Sequence, residues 1–170
     1  AIFRTEDQYG MASFAGSLLP LIVRALSKRR PDFVLTLGDL VEMLSVATAC
    51  LYLGIPSGQL HGGETTTTVD EIARHAITKL SHLHFPATKE SAWRIRQMGE
   101  ESWRIHTVGA PAIDFIMHEP LPTRRQLCAT LRLDPKRPIL LVTQHPESET
   151  WKSAGTQMRA TLRAAATSRM

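Results

Sequence analysis

Thiols are scarce: Cys50 and Cys128 are the only two in 170 residues. They stand apart, without the paired spacing of a zinc site or a disulfide framework, and read as reduced, semi-buried side chains with no catalytic role. Long hydrophobic runs are also lacking. DFVLTL (32–37) and RPILLV (137–142) are too short to cross a bilayer, and the opening AIFRTEDQ has no basic segment leading into an apolar stretch. The expectation is a soluble cytoplasmic protein with no membrane partner. Aromatic residues make up 6% of the chain, and Tyr and Phe do not interleave with the basic residues as a base-stacking platform requires. The net charge of +4 is therefore diffuse, and SKRR (27–30) falls where a helix should end, where cations complement the helix dipole. No nucleic-acid partner is expected. A Walker loop, a dinucleotide fingerprint and internal repeats are absent too, which argues against NTPase and NAD-dependent chemistry. His82 and His84 alternate in SHLHF without a third ligand at suitable spacing, so they read as strand-packing histidines, and neither metal nor cofactor is expected.

What is present is a hydrophobic fraction of 43% arranged in alternating patterns. Residues 12–29 carry apolar side chains at helical spacing, and DFVLTL is a compact run suited to a strand buried on both faces. VEMLSVATACLYLG reads as a helix closed by Gly54, IPSGQL as a short strand, and VDEIARHAITKL as a helix with Ile72, Ala73, Ala76, Ile77 and Leu80 facing inward. HLHFPAT and RIHTVG read as further strands around the helix KESAWRIRQMG, and PAIDFIM opens another helix. This alternation predicts an α/β fold with a doubly wound parallel sheet, a Rossmann-like domain over 1–119 whose first βα unit is largely missing. HEPLPTRR (118–125) reads as a linker. Residues 120–170, with the helix TRRQLCATLRL, the strand RPILLVTQ and a final helix, read as the incomplete start of a second Rossmann-like domain. The whole is expected to be a piece of something longer.

Open α/β sheets bind ligands at the carboxyl ends of their strands, where loop amides and helix N-termini converge. That edge carries Gly38-Asp39, then His61-Gly62-Gly63-Glu64, then Thr88, Gly109-Ala110-Pro111 and His145-Pro146. The glycines there would let backbone approach a ligand, or would serve as ordinary turn residues. The richest stretch is LHGGETTTTVDEIARH (60–75). Thr68 and Glu71 have the spacing of a capping box, which makes Glu71 structural and leaves Asp70, in the first helical turn, facing the cleft. Arg74 follows Asp70, and His75 follows Glu71, at the interval that lets each pair meet on a helix surface; plain surface ion pairs explain that spacing equally well.

PDFVLTLGDLVEML, HGGE, VDEIARHAITKLSHLHF and VGAPAIDFI, in this order and at these distances, resemble the UDP-N-acetylglucosamine 2-epimerases over about residues 8–146. The central string resembles the hydrolysing branch, which makes N-acetylmannosamine for sialic acid synthesis, and its relatives acting on diacetamido sugars for legionaminic acid. The resemblance implies a two-domain fold similar to the B-type glycosyltransferases, a UDP-sugar substrate and a homo-oligomer. It also implies a reaction in which UDP leaves as the C2 proton is removed, giving a 2-acetamidoglucal that is then hydrated. By motif position it assigns Asp39, Glu64 and Asp70 as catalytic acids and His145 to the diphosphate leaving group. His61, Gly62, Gly63, Arg74, His75 and Gly109 become supporting, substrate-binding positions.

The sequence departs from the family pattern at Leu40, where arginine usually follows Gly-Asp, and in the threonine loop, where a glycine is common. The N-terminal strand with its Gly-Arg loop and the segment that would hold uracil, ribose and diphosphate are absent, so the chain alone is expected to be poorly active. A nucleotide-sugar glycosyltransferase of similar fold, or a noncatalytic remnant serving as an interaction module, are the competing readings.

Overall fold

The computed structural model describes residues 8–66, 68–145 and 151–168, except for the side chains of Gln8 and Trp151. The chain divides into two compact units between Asp114 and Phe115. In the first, α1 (Gln8–Arg29) leads to β1 (Val34–Leu37), α2 (Val41–Leu53), β2 (Ser57–Leu60), α3 (Val69–Leu80), β3 (Leu83–Phe85) and α4 (Lys89–Gln97), followed by a 3-10 turn at Ser102–Arg104. α5 (Pro111–His118) begins at its end. The three strands form a parallel sheet in the order β1-β2-β3, the βα alternation that the sequence predicts. RIHTVG does not form a full strand, but it runs beside β3. Ile105 bridges His84, and the amides of His106 and Val108 donate to His84 O and Pro86 O at 2.8 and 3.1 Å.

Helix ends follow local chemistry. α2 closes on Gly54 in the left-handed region at φ 66°, and Thr88 caps α4 by accepting the Ser91 amide at 3.1 Å. α1 packs on α2 and ends in Lys28 and Arg29, as the charge pattern suggested. Its segment Tyr9–Arg29 is, by length and composition, long and apolar enough to cross a membrane, which corrects the reading that no stretch qualifies; the serines and Pro20 within it hide that from a search for unbroken apolar runs.

The sheet inverts the usual polarity of a covered face. Register places Thr36, Gln59 and His84 side by side, all buried, with Ser57 next to them, on the side where Gln59 meets α3. Leu35 and Leu37, on the other side, are about half exposed. α3 matches this polar row. Its buried residues are Arg74, Ile77 and Thr78, whereas Ile72, expected to face inward, is 72% exposed, because a helix laid on polar strands turns its own polar residues toward them.

His84 anchors a buried charge cluster. Its Nε2 lies 3.1 Å from Glu100 Oε2, while Lys79 Nζ and Arg104 Nη1 reach the same carboxylate at 2.5 and 3.0 Å. His84 Nδ1 is buried without a hydrogen-bond partner, which fits a neutral ring protonated at Nε2 and donating to Glu100. Burial pushes the His84 pKa below its ordinary 6.5, more strongly than Glu100 raises it. For Glu100 burial acts upward, but hydrogen bonds from Lys79 and His84 prevail and hold it below its usual 4.5. In both groups the unfolded chain takes up protons before the folded one does, so stability is lost as pH falls. Chemical denaturation is expected to record a decline starting near pH 6.5 from His84 and a further one below pH 4.5 from Glu100. In Glu100→Gln the lower decline should vanish; its persistence would assign it to other carboxylates.

In the second unit α6 (Arg124–Leu131) starts from a complete capping box between Thr123 and Gln126, with Cys128 buried beneath it. Arg124 donates to Pro135 O and Arg137 O at 3.0 and 2.8 Å. α7 (Ala154–Thr167) follows a 3-10 turn at Trp151–Ser153, and Thr161 donates to Gln144 Oε1 at 2.6 Å. RPILLVTQ, expected as a strand, is irregular. An apolar run becomes a strand only against a partner ladder, and the described residues of this unit contain none.

Candidate functional site

The carboxyl ends of β1 and β2 and the start of α3 converge on one side chain, Arg74. Gly38 turns the chain out of β1 at φ 80°, bringing Asp39 beside α3, and Asp39 Oδ2 pairs with Arg74 Nη2. Arg74 Nη1 donates to Glu64 O at 2.8 Å and also faces Thr66 Oγ1 at 3.4 Å. One buried guanidinium therefore ties the β1 turn and the loop after β2 to the third helix, a fork geometry that lysine cannot reproduce. The interval between Asp70 and Arg74 suggested that these two would pair. The guanidinium goes to Asp39 instead, since a side chain on the inner face of α3 meets the sheet edge and not its own helix surface. Leu40 is the exposed N-cap of α2 and makes no side-chain cap bond.

Glu64 is half-buried, and its Oε1 lies 3.0 Å from His61 Nδ1. His61 reaches it from a left-handed backbone at φ 59°, a conformation that costs a non-glycine residue on the order of 1 kcal/mol. Gly62 and Gly63 are buried, and their missing side chains serve the protein interior. A Cβ on Gly62 would sit 2.6 Å from Gln59 Oε1, and one on Gly63, at φ 79°, would sit 2.3 Å from the Ser91 carbonyl oxygen. Arg94 Nη1 donates to Gly63 O at 3.1 Å, so α4 holds this loop from below.

Thr68 is the N-cap of α3 but makes no side-chain bond to the helix amides. Its hydroxyl faces Asp70 Oδ2 at 3.3 Å, while Glu71 Oε2 accepts the Thr66 amide at 2.5 Å. The expected capping box is thus replaced by bonds within the threonine loop, although Glu71 remains structural. His75 Nε2 is buried with no hydrogen-bond partner. Gly109 turns at φ 84° ahead of α5, with open space where a Cβ would be. His145 is exposed and belongs to the second unit; Pro146 lies outside the described residues.

The structure thus links Asp39, Arg74 and the His61–Glu64 loop at one sheet edge, with Asp70 in the first turn of the helix that carries Arg74. It adds Gln59, Thr78 and Arg94, which the sequence reading missed. A polar residue in the middle of a strand is the signal that would have found Gln59. Carboxylates held by hydrogen bonds at a strand-end edge suit proton transfer, and the buried guanidinium beside them supplies fixed positive charge.

Comparisons with known proteins identify the family and the fold. The family described as UDP-N-acetylglucosamine 2-epimerase matches residues 3–170. A protein of Legionella pneumophila named UDP-N,N'-diacetylbacillosamine 2-epimerase (hydrolyzing) is 42% identical over 155 residues, 91% of this chain and 41% of the relative. A GDP/UDP-N,N'-diacetylbacillosamine 2-epimerase (hydrolyzing) of Campylobacter jejuni is 35% identical, over 95% of this chain and 42% of its own length. The fold is shared with the UDP-GlcNAc 2-epimerase of Neisseria meningitidis, solved with UDP-GlcNAc bound, at a TM-score of 0.62 and 23% identity over 68% of this chain and 32% of that one. The chain spans about two-fifths of the length of these curated relatives. It belongs to the UDP-N-acetylglucosamine 2-epimerase family.

Proposed function

We propose, from that membership, that this chain carries the acid/base part of a hydrolysing UDP-sugar 2-epimerase. The observation behind the reading is the set of bonds that collects Asp39, Glu64 and the Asp70 helix around Arg74 at the ligand-binding edge of a parallel sheet. In the first step a carboxylate takes the C2 proton of the sugar. The C2–H electron pair becomes the C1–C2 double bond, the C1–O bond breaks, and UDP leaves a 2-acetamidoglucal. Water then adds to C1 while a second carboxyl returns a proton to C2 from the opposite face, giving the free epimeric sugar.

Two acid/base groups are required, because removal and return occur on opposite faces. Glu64 with its His61 partner, and Asp70 with its Thr68 partner, are the two groups of this reading. Asp39 is committed to Arg74 and supplies positioning and field. The loop amides at Gly62 and Gly63, with His75 and Gly109, bind the substrate around them, and His145 serves the departing diphosphate. The Rossmann-like domain over 1–119, the start of a second over 120–170, a homo-oligomer and a cytoplasmic location belong to the same reading. The substrate is a UDP-2-acetamido sugar. UDP-N-acetylglucosamine, which would yield N-acetylmannosamine, is favoured by the family; UDP-N,N'-diacetylbacillosamine is the second reading, because two relatives carry that name.

Incubation with either sugar nucleotide in deuterated water tests this, using the chain alone and the chain joined to the remaining segments of a relative. Release of UDP with deuterium at C2 of the product is expected, faster in the joined form. Glu64→Gln and Asp70→Asn should each slow turnover by about 10²- to 10⁴-fold without loss of fold. UDP release with no deuterium at C2 would mean hydrolysis or glycosyl transfer and overturn the assignment.

A further inference from the structure

We propose that Gln59 is the positioning residue of the acid cluster: its buried side chain fixes the Asp39 turn, the His61–Glu64 loop and the Arg74 helix relative to one another. It rests on the acid/base reading above only for its bearing on turnover. Gln59 is fully buried at the centre of the sheet, between Thr36 and His84 in register. Its Nε2 faces Arg74 O at 3.2 Å and Gly38 O at 3.4 Å, and its Oε1 accepts the Thr78 hydroxyl at 2.6 Å. The amide orientation follows from these partners, since the reverse would aim its oxygen at two carbonyls. Gly62 closes directly over Oε1, where a Cβ would come within 2.6 Å. The segments that carry Asp39, Glu64 and Arg74 thus all touch this one amide: Gly38 precedes Asp39, Gly62 precedes Gly63 and Glu64, and Arg74 is itself the hub.

An apolar residue of similar size would fill the space but remove the bonds that join Thr78, Arg74 O and Gly38 O through one amide, leaving the Thr78 hydroxyl only Arg74 O of its own helix at 3.1 Å and allowing the segments to shift separately. A hydrogen-bonded amide at this place sets distances, which fits a residue that acts through others. Proton exchange at the Arg74 guanidinium, read by nuclear magnetic resonance on the full chain, reports the result directly. In Gln59→Met this exchange is expected to accelerate by about tenfold or more, as local opening becomes easier, with a smaller acceleration in Thr78→Val. Cys50→Ala, in the buried face of α2, should lower the melting temperature without accelerating the Arg74 exchange. A folded Gln59→Met protein with the parent's exchange rate overturns the proposal; if that variant does not fold, parent-like exchange in Thr78→Val does so. Where the parent turns over a UDP-sugar, Gln59→Met should lower kcat more than it raises KM. A parent that incorporates no deuterium at C2 removes the catalytic reading, yet leaves the guanidinium measurement to decide the positioning role.

Discussion

Gly63→Ala is expected to destabilise the first unit by about 3 kcal/mol or more and to remove turnover, as measured by chemical denaturation and by release of UDP. Two penalties combine. The backbone at Gly63 has φ 79°, a left-handed conformation costing an L-residue roughly 1–2 kcal/mol. The added methyl would also stand 2.3 Å from the Ser91 carbonyl oxygen and 2.9 Å from Ile95 Cγ1. The nearer obstacle is backbone within α4, which cannot rotate aside as a side chain can, so the loop itself must move. Glu64 is the next residue, and its bond to His61 and the Arg74 bond to its carbonyl move with it. Gly62→Ala meets the end of the Gln59 side chain instead and should cost less. Equal losses at the two positions would show that the backbone contact with α4 is not what holds the loop.

Arg74→Met is expected to cost about 2–4 kcal/mol and at least about 10²-fold in turnover, since a broken buried pair leaves a charge without its partner. The range lies below the full cost of a sealed pair, because the Asp39 side chain is 23% exposed and water can approach it. Methionine keeps the apolar stem of arginine, so the loss reflects the missing guanidinium and not a cavity. Arg74→Lys should fall between the two. It keeps a charge for Asp39, but a single ammonium cannot also serve Glu64 O and Thr66 Oγ1 in the fork arrangement. Denaturation and deuterium incorporation at C2 measure the two effects separately, and a fully active Arg74→Met protein would place the chemistry elsewhere.

Local chemistry made much of the fold legible. The helix closing on Gly54 and the span Val69–Leu80 are set by neighbours in sequence and form where their patterns predict, while the apolar run before Gly38 forms its strand against β2 but is buried on one face and not on both. RPILLVTQ shows the opposite case: its composition suits a strand, but strand formation depends on a partner that composition does not report. The site divides in the same way. Asp39, Glu64 and Asp70 were readable as acids at strand or helix ends, and the structure gathers their segments. The partner of Arg74 was not readable. Helical spacing offered Asp70, while the true one comes from a turn far earlier in the chain. Ile72 misled for a related reason: apolar periodicity assumes an apolar surface to lie on, and the covered side of this sheet is polar.

That polar row has an evolutionary consequence. An oily interior tolerates exchange among leucine, isoleucine and valine, because one greasy shape can stand in for another. An interior of matched donors and acceptors offers few such synonyms. Threonine, glutamine and histidine at 36, 59 and 84 each answer a particular neighbour, so drift at one demands a reply from another. At Gln59 the bonds that hold the sheet also hold the acid cluster, and a lineage cannot retune one without disturbing the other.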